Sequence, residues 1–240
     1  MLTNIVISDV VLSGIVVVGI LQMAWFSVML MRRGAPAAMI QQAIPPFLAI
    51  WVLMWPVYID ARWLGVGLLA LLALTVLASL LKSPFWSHLN MAWDAQLPNT
   101  KDDMHPRISL LPQLHLLIAI FIAGAWFQAI PEFGFGLALC LCVAFPAAFW
   151  ADYFSQRYGF LILKFPSHPE QTLAGHLVLM IVCTILLCWS LHVYHGTDWK
   201  LLFIAALIAS AAASVSRALV PGRWNGPAAM VSVGFVMWAL

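Results

Sequence analysis

Long apolar runs separated by short turns constrain this chain more than any other feature. Val10–Met31 contains no charged side chain and stops at Arg32 and Arg33. A helix needs ~20 apolar residues to cross the hydrocarbon core of a bilayer. Comparable runs follow at Ile40–Ile59, Leu64–Leu81, Ile108–Ile130, Phe133–Ala151, Leu173–Val193 and Trp199–Leu219, with a shorter last one at Gly226–Leu240. Backbone groups in lipid must be satisfied within the segment, so these runs are predicted to be helices. The expected fold is an all-α, polytopic integral membrane bundle of about eight (seven to eight) transmembrane helices, one domain over residues 1–240. The last run, about 22 Å long as a helix, is expected to tilt in a thinned region or to begin inside the protein at the Pro227 break.

Composition sets the same limit. Of 240 residues, 64% are hydrophobic and 8% charged, against roughly 25% charged in soluble domains. The mean hydropathy is +0.98. A water-soluble domain, a disordered chain and a nucleic-acid binder are all excluded. Cys140, Cys142, Cys183 and Cys188 lie within apolar runs and read as buried small hydrophobes rather than metal or disulfide partners. The first run lacks the basic leader and cleavage site of a signal peptide and is expected to be a mature span.

With eleven basic residues, each position is informative. Arg32, Arg33, Lys82, Lys101, Arg107, Arg157, Lys164, Arg217 and Arg223 follow spans one, three, five and seven; only Arg62 and Lys200 fall on the other side. Basic loops stay in the cytoplasm, so two polar loops, 83–107 and 152–171, are expected on the cytoplasmic face of an inner membrane. Both termini are expected on the non-cytoplasmic side.

Chemistry is expected on that cytoplasmic face. Asp94, Asp102, Asp103 and His105 would suit Mg²⁺ with a phosphate completing the shell, or would simply keep a loop in water. The segment from Asp152 to Gln171 brings Asp152, Arg157, Lys164, His168 and Glu170 together. There cations would meet phosphate oxygens and carboxylates a metal; the alternative is a basic anchor with helix caps. His115 and His176 lie inside apolar runs, where a polar side chain faces the bundle or a cavity. His176 would extend a pocket beyond Glu170, or would be hydrogen-bonded between helices. His192, His195 and Asp198 fall on the outer face and make a weak metal set. The alanines and serines of span seven indicate close helix packing. Tryptophans flank the spans as an interfacial belt. With no paired acid and base in mid-span, an ion-coupled transporter has the least support.

Arg157-Tyr158-Gly159 is followed eleven residues later by Glu170, then Thr172-Leu173-Ala174-Gly175, a small-residue span, a Pro221–Asn225 break and a last short span. Over 157–240 this order resembles the membrane family of dolichol kinases, phytol kinases and CTP-dependent diacylglycerol kinases, relatives of phosphatidate cytidylyltransferase. The family's basic pair and histidine would fall near Ile40–Pro45, where this chain has Gln41 and Gln42. Its Gly-Asp would fall at Ala147 and Ala148, one turn before Asp152, and its lysine at Ser167.

The resemblance implies a phosphotransferase of isoprenoid or phospholipid metabolism, moving phosphate from CTP or ATP to a lipid alcohol such as a polyprenol, phytol or diacylglycerol. Asp152 and Glu170 would be the catalytic pair and would hold Mg²⁺. Arg157, Gly159, Lys164, Arg223 and Asn225 would bind nucleotide phosphate, and His176 would line the substrate pocket. The departures leave a second reading open: a non-catalytic membrane subunit or assembly factor that keeps the fold without the site. Membrane lipid is the expected partner in the first case, and a membrane protein or a second copy in the other.

Overall fold

The computed structural model describes residues 8–93, 113–165, 168–196, 198–220 and 222–240. Asp94, Lys101, Asp102, Asp103, His105, Arg107, Ser167 and Pro221 lie outside them. Among the described residues, six helices are long and apolar enough to cross a membrane: Asp9–Arg32, Ala37–Val57, Ala61–Leu80, Pro131–Tyr158, Leu173–Tyr194 and Trp199–Leu219. The described residues are all-α apart from one short hairpin, and their long apolar helices are those of an integral membrane protein. Contacts divide the chain into two compact units. One is Met1–Ile44 with Met54–Leu114; the other is Pro45–Leu53 with His115–Leu240.

The first unit contains α1 (Asp9–Arg32), the start of α2 (Ala37–Leu53), α3 (Leu64–Leu80) and α4 (Pro84–Trp93). Ser8 caps α1 by accepting from the Val11 N–H. The Asp9 carboxylate accepts from the backbone N–H groups of Ile59 and Asp60, both at 3.0 Å, fixing the turn before α3 against the start of α1. Two buried hydroxyls in these helices return their protons to the preceding turn. Ser27 donates to the Met23 carbonyl at 2.9 Å and Thr75 to Leu71 at 2.8 Å, so neither presents an unpaired group to lipid.

Helix α4 lies within the segment expected to be a polar loop. Its Leu89, Ala92 and Trp93 are buried, at the three- and four-residue spacing of one helix face. The Trp93 indole N–H reaches Ser27 Oγ at 3.3 Å. Its carbonyl accepts from Gln41 Nε2 at 3.1 Å and Gln113 Nε2 at 3.0 Å. Gln41 thus ties the Trp93 backbone to α2.

The second unit holds α5 (Leu114–Ala129), α6 (Pro131–Leu139), α7 (Phe145–Tyr158), strands β1 (Lys164–Phe165) and β2 (His168–Thr172), α8 (Leu173–His195), α9 (Trp199–Leu219) and α10 (Asn225–Ala239). Helices α6 and α7 form one rod through a wide turn at Cys140–Ala144, where the Phe145 N–H reaches back to the Cys140 carbonyl. Pro146 lacks the N–H that would serve the Cys142 carbonyl, and its ring crowds that carbonyl, so the widened turn relieves both. Helix α7 continues to Tyr158, so the first third of the second expected loop is helical. Further along, β1 pairs antiparallel with β2. Helices α8, α9 and α10 pack in sequence. Ala206, Ala209 and Ala213 are fully buried along α9, which is the close approach expected of small residues.

Glycines mark the tightest contacts. A Cβ on Gly134 of α6 would overlap the Phe127 backbone of α5, whereas one on Gly124 of α5 meets nothing within 4 Å. Gly134→Ala is expected to destabilise the protein by several kcal/mol, because backbone cannot yield. Gly124→Ala is expected to be neutral or to gain ~0.5–1 kcal/mol from helix propensity. Thermal unfolding of the two variants in detergent checks the contrast.

Candidate functional site

Asp152, Ser155, Gln171, Thr172, His176 and Arg217, all buried, gather where α7, α8 and α9 meet beside the hairpin. Asp152, on α7, and Arg217, two residues before the end of α9, are 5% and 6% exposed and form a direct ion pair between Oδ2 and Nη2. The other carboxylate oxygen accepts two bonds from Thr172, from the backbone N–H at 2.8 Å and the hydroxyl at 2.9 Å. Thr172 is the N-cap of α8, and its Oγ1 also accepts from the Gly175 N–H. A carboxylate thus sits at the positive end of a 23-residue helix, where both the dipole and the free N–H groups favour it. Gly175 makes the room: a Cβ there would overlap the Asp152 carboxyl group.

A second chain of bonds runs from this pair along α8. The Gln171 amide nitrogen donates to the Arg217 carbonyl at 3.1 Å, which turns its Oε1 toward the His176 Nε2 at 3.0 Å. An amide oxygen only accepts, so Nε2 carries the imidazole proton. Nδ1 is then the acceptor, and Ser214 Oγ donates to it at 2.8 Å. The side chain of Gln171 thereby sets the tautomer of a histidine that is 4% exposed. Two turns deeper, Thr184 and Ser210 join α8 to α9 at 2.8 Å, and Ser216 joins α9 to Ser232 of α10 at 2.7 Å. Arg217 Nη1 is buried without a hydrogen-bond partner among the described residues.

The residues read from sequence do not converge on one point. Asp152 is enclosed by Arg217 and Thr172. Glu170 is exposed on β2, and its backbone carbonyl accepts from Gln156 Nε2 at 2.7 Å. Arg157 is exposed on the last turn of α7 and donates to the Tyr153 hydroxyl at 3.3 Å. Gly159 ends α7 in the left-handed conformation, φ +76°, which glycine adopts at no steric cost. Lys164 lies on β1, Arg223 in the short turn Gly222–Trp224, and Asn225 opens α10. His115 lies on α5, and His192 lies against Trp199, the rings tilted by 37° with centroids 4.9 Å apart. His195 ends α8, and Asp198 caps α9 through the Lys200 N–H. The four cysteines are buried thiols.

Mg²⁺ was expected at Asp152 and Glu170. The Asp152 carboxylate spends both oxygens on protein donors and its charge on Arg217, so it does not fit a metal ligand. Among the described residues, no three His, Cys, Asp or Glu side chains gather as a metal set. Arg217 was counted in the sequence only as a base marking the membrane face. The available signal was its position inside the apolar stretch of span seven, before the Pro221 break. No protein-family model matches this chain, and neither the curated proteins nor the solved structures contain a match.

Breaking a buried pair leaves an uncompensated charge, at about 3–5 kcal/mol. Asp152→Asn and Arg217→Met are each expected to lose that much in denaturant titrations of the detergent-solubilised protein. The double variant Asp152→Leu/Arg217→Met is expected to recover most of it, remaining ~1–2 kcal/mol below wild type because the Thr172 donors lose their acceptor. Additive losses would contradict the pairing. Gly175→Ala is expected to unfold at a lower temperature than wild type, and Asp152→Ala to relieve that defect in part.

Proposed function

We propose that this protein is a non-catalytic integral membrane component, a subunit or assembly factor, rather than an active lipid kinase. One observation carries the reading: the carboxylate that would hold the nucleotide's metal is consumed by Arg217 and Thr172 inside the packing of α7, α8 and α9. In phosphoryl transfer the protein contributes positioning and charge stabilisation. A site whose acid is neutralised by its own arginine supplies neither. The same pair ties three helices together, which is what a component assembled with other membrane proteins requires of its own fold.

The reading includes eight crossings. Helices α5 and α10, of 16 and 15 residues, cross as ~24 and ~22 Å segments at the helical rise, beside longer neighbours in a locally thinned bilayer. Arg217 is neutralised by Asp152 and drops out of the charge count. The remaining eight bases still outnumber Arg62 and Lys200 on the opposite side, so the hairpin end faces the cytoplasm and the termini face away from it.

The second reading, a CTP- or ATP-dependent kinase of a polyprenol, phytol or diacylglycerol, keeps one observation in its favour. Arg157, Gly159, Thr172 and Gly175, the residues that carry the family resemblance, all lie where α7, the hairpin and α8 meet. Purified protein in lipid, incubated with Mg²⁺ and γ-labelled CTP or ATP, separates the two. The expected outcome is no label in any of the three lipid classes and no nucleotide-dependent rise in Tm. Transfer that disappears in Asp152→Asn, with the variant still folded, would overturn the proposal.

A further inference from the structure

The end of α7 carries a run of aromatic rings in mutual contact. Trp150 meets Tyr153 and Phe154 at centroid distances of 5.8 and 6.0 Å, Tyr153 meets Phe154 at 5.6 Å, and Phe154 stacks on Tyr158 at 6.2 Å and 18°. The Arg157 guanidinium lies 5.9 Å from the Tyr158 ring centroid while donating to the Tyr153 hydroxyl. The arginine is therefore held between two tyrosines at the helix terminus. A guanidinium has five N–H groups in a planar fork that matches phosphate oxygens, and the Tyr153 bond uses one of them.

Beyond Gly159 the chain leaves the helix and presents Phe160, Leu161, Ile162 and Leu163 in succession. All four are exposed, Leu163 by 67%. The segment is ordered by its own backbone. Phe160 N–H donates to the Ser155 carbonyl at 3.3 Å, the Ser155 hydroxyl donates to the Phe160 carbonyl, and Leu173 N–H donates to the Leu163 carbonyl at 3.1 Å. Four adjacent apolar side chains are not held out in bulk water without cost: each leaves about 1.5–3 kcal/mol of burial unrealised. Non-helical backbone is equally excluded from the hydrocarbon core. Both conditions are met at one depth, the boundary between headgroups and acyl chains, where backbone is hydrated and side chains reach apolar material. Tyrosine and tryptophan favour that depth, and a lipid phosphate there lies at the level of a helix-terminal arginine.

We propose that Tyr153, Arg157, Tyr158 and Phe160–Leu163 form a docking site for an anionic phospholipid of the surrounding bilayer. The lipid phosphate sits on the Arg157 fork, and its acyl chains lie against Phe160–Leu163. The proposal is independent of whether the protein catalyses anything, since it uses neither Asp152 nor a nucleotide.

Native mass spectrometry of the full chain with phosphatidylglycerol or phosphatidylcholine tests it, with inorganic phosphate as competitor. Phosphatidylglycerol is expected to be retained over phosphatidylcholine. Arg157→Gln is expected to lose about fivefold of that retention, the usual effect of one basic residue at a charged membrane surface, with an unchanged Tm. A nitroxide attached at Leu161→Cys is expected to report oxygen accessibility at the upper acyl depth in vesicles, which reads the geometry without lipid selectivity. Equal retention of the two lipids, undiminished retention in Arg157→Gln, displacement by millimolar phosphate, or a fully aqueous label at position 161 would each overturn the assignment.

Discussion

The second unit is organised around a charge that has been brought out of water and neutralised in place. Isolated, an ionised carboxylate between helices would cost many kcal/mol. Here Arg217 supplies the counter-charge, Thr172 supplies two donors, and the positive end of α8 supplies the rest. Other features depend on that arrangement. Residue 175 has to be glycine because the carboxyl group fills the space of a side chain. The Arg217 carbonyl anchors Gln171, and Gln171 in turn fixes the imidazole of His176. Replacing such a pair by apolar residues is often neutral for stability, so its value lies in specificity. The Asp152–Arg217 pair joins α7 to α9 at one point along their length.

Most of the architecture was legible in the sequence because membrane spans are written in long uncharged runs. Span six, read as Leu173–Val193, is the helix Leu173–His195, and span seven, read as Trp199–Leu219, is α9 with those bounds. The Asp60–Arg62 turn was marked by its charges, and the end of α7 by Gly159. Helix α4 was missed because Ser87, His88 and Asn90 made Ser83–Trp93 look polar. Its hydrophobic residues Leu89, Ala92 and Trp93 nonetheless keep helical spacing. A short helix buries a face too narrow to register as an apolar run.

The site was less legible, for a different reason. Asp152 and Arg217 are 65 residues apart in sequence, and no local pattern links an acid on one helix to a base on another. Asp152 looked like the boundary of a loop, and Arg217 like one more base on the cytoplasmic side. Likewise, Gln41 and Gln113 meet at the Trp93 carbonyl from two distant segments. Both cases show where composition stops being informative. In a chain with nine acidic and eleven basic residues, position along the membrane can be inferred from the pattern, but partnership is decided by packing.

The wide turn at Cys140–Ala144 has a consequence for how this rod tolerates change. An α-helix advances about 100° per residue, so one extra residue accommodated in a widened turn re-phases everything beyond it. The faces of α6 and α7 are thereby set separately within a single 28-residue rod. On the α6 side, Gly136 packs against Leu187 and Ser190 of α8; on the α7 side, Asp152 meets the opening of the same helix. The turn thus sets the bearing of the carboxylate on Thr172 separately from the face that α6 turns to α8.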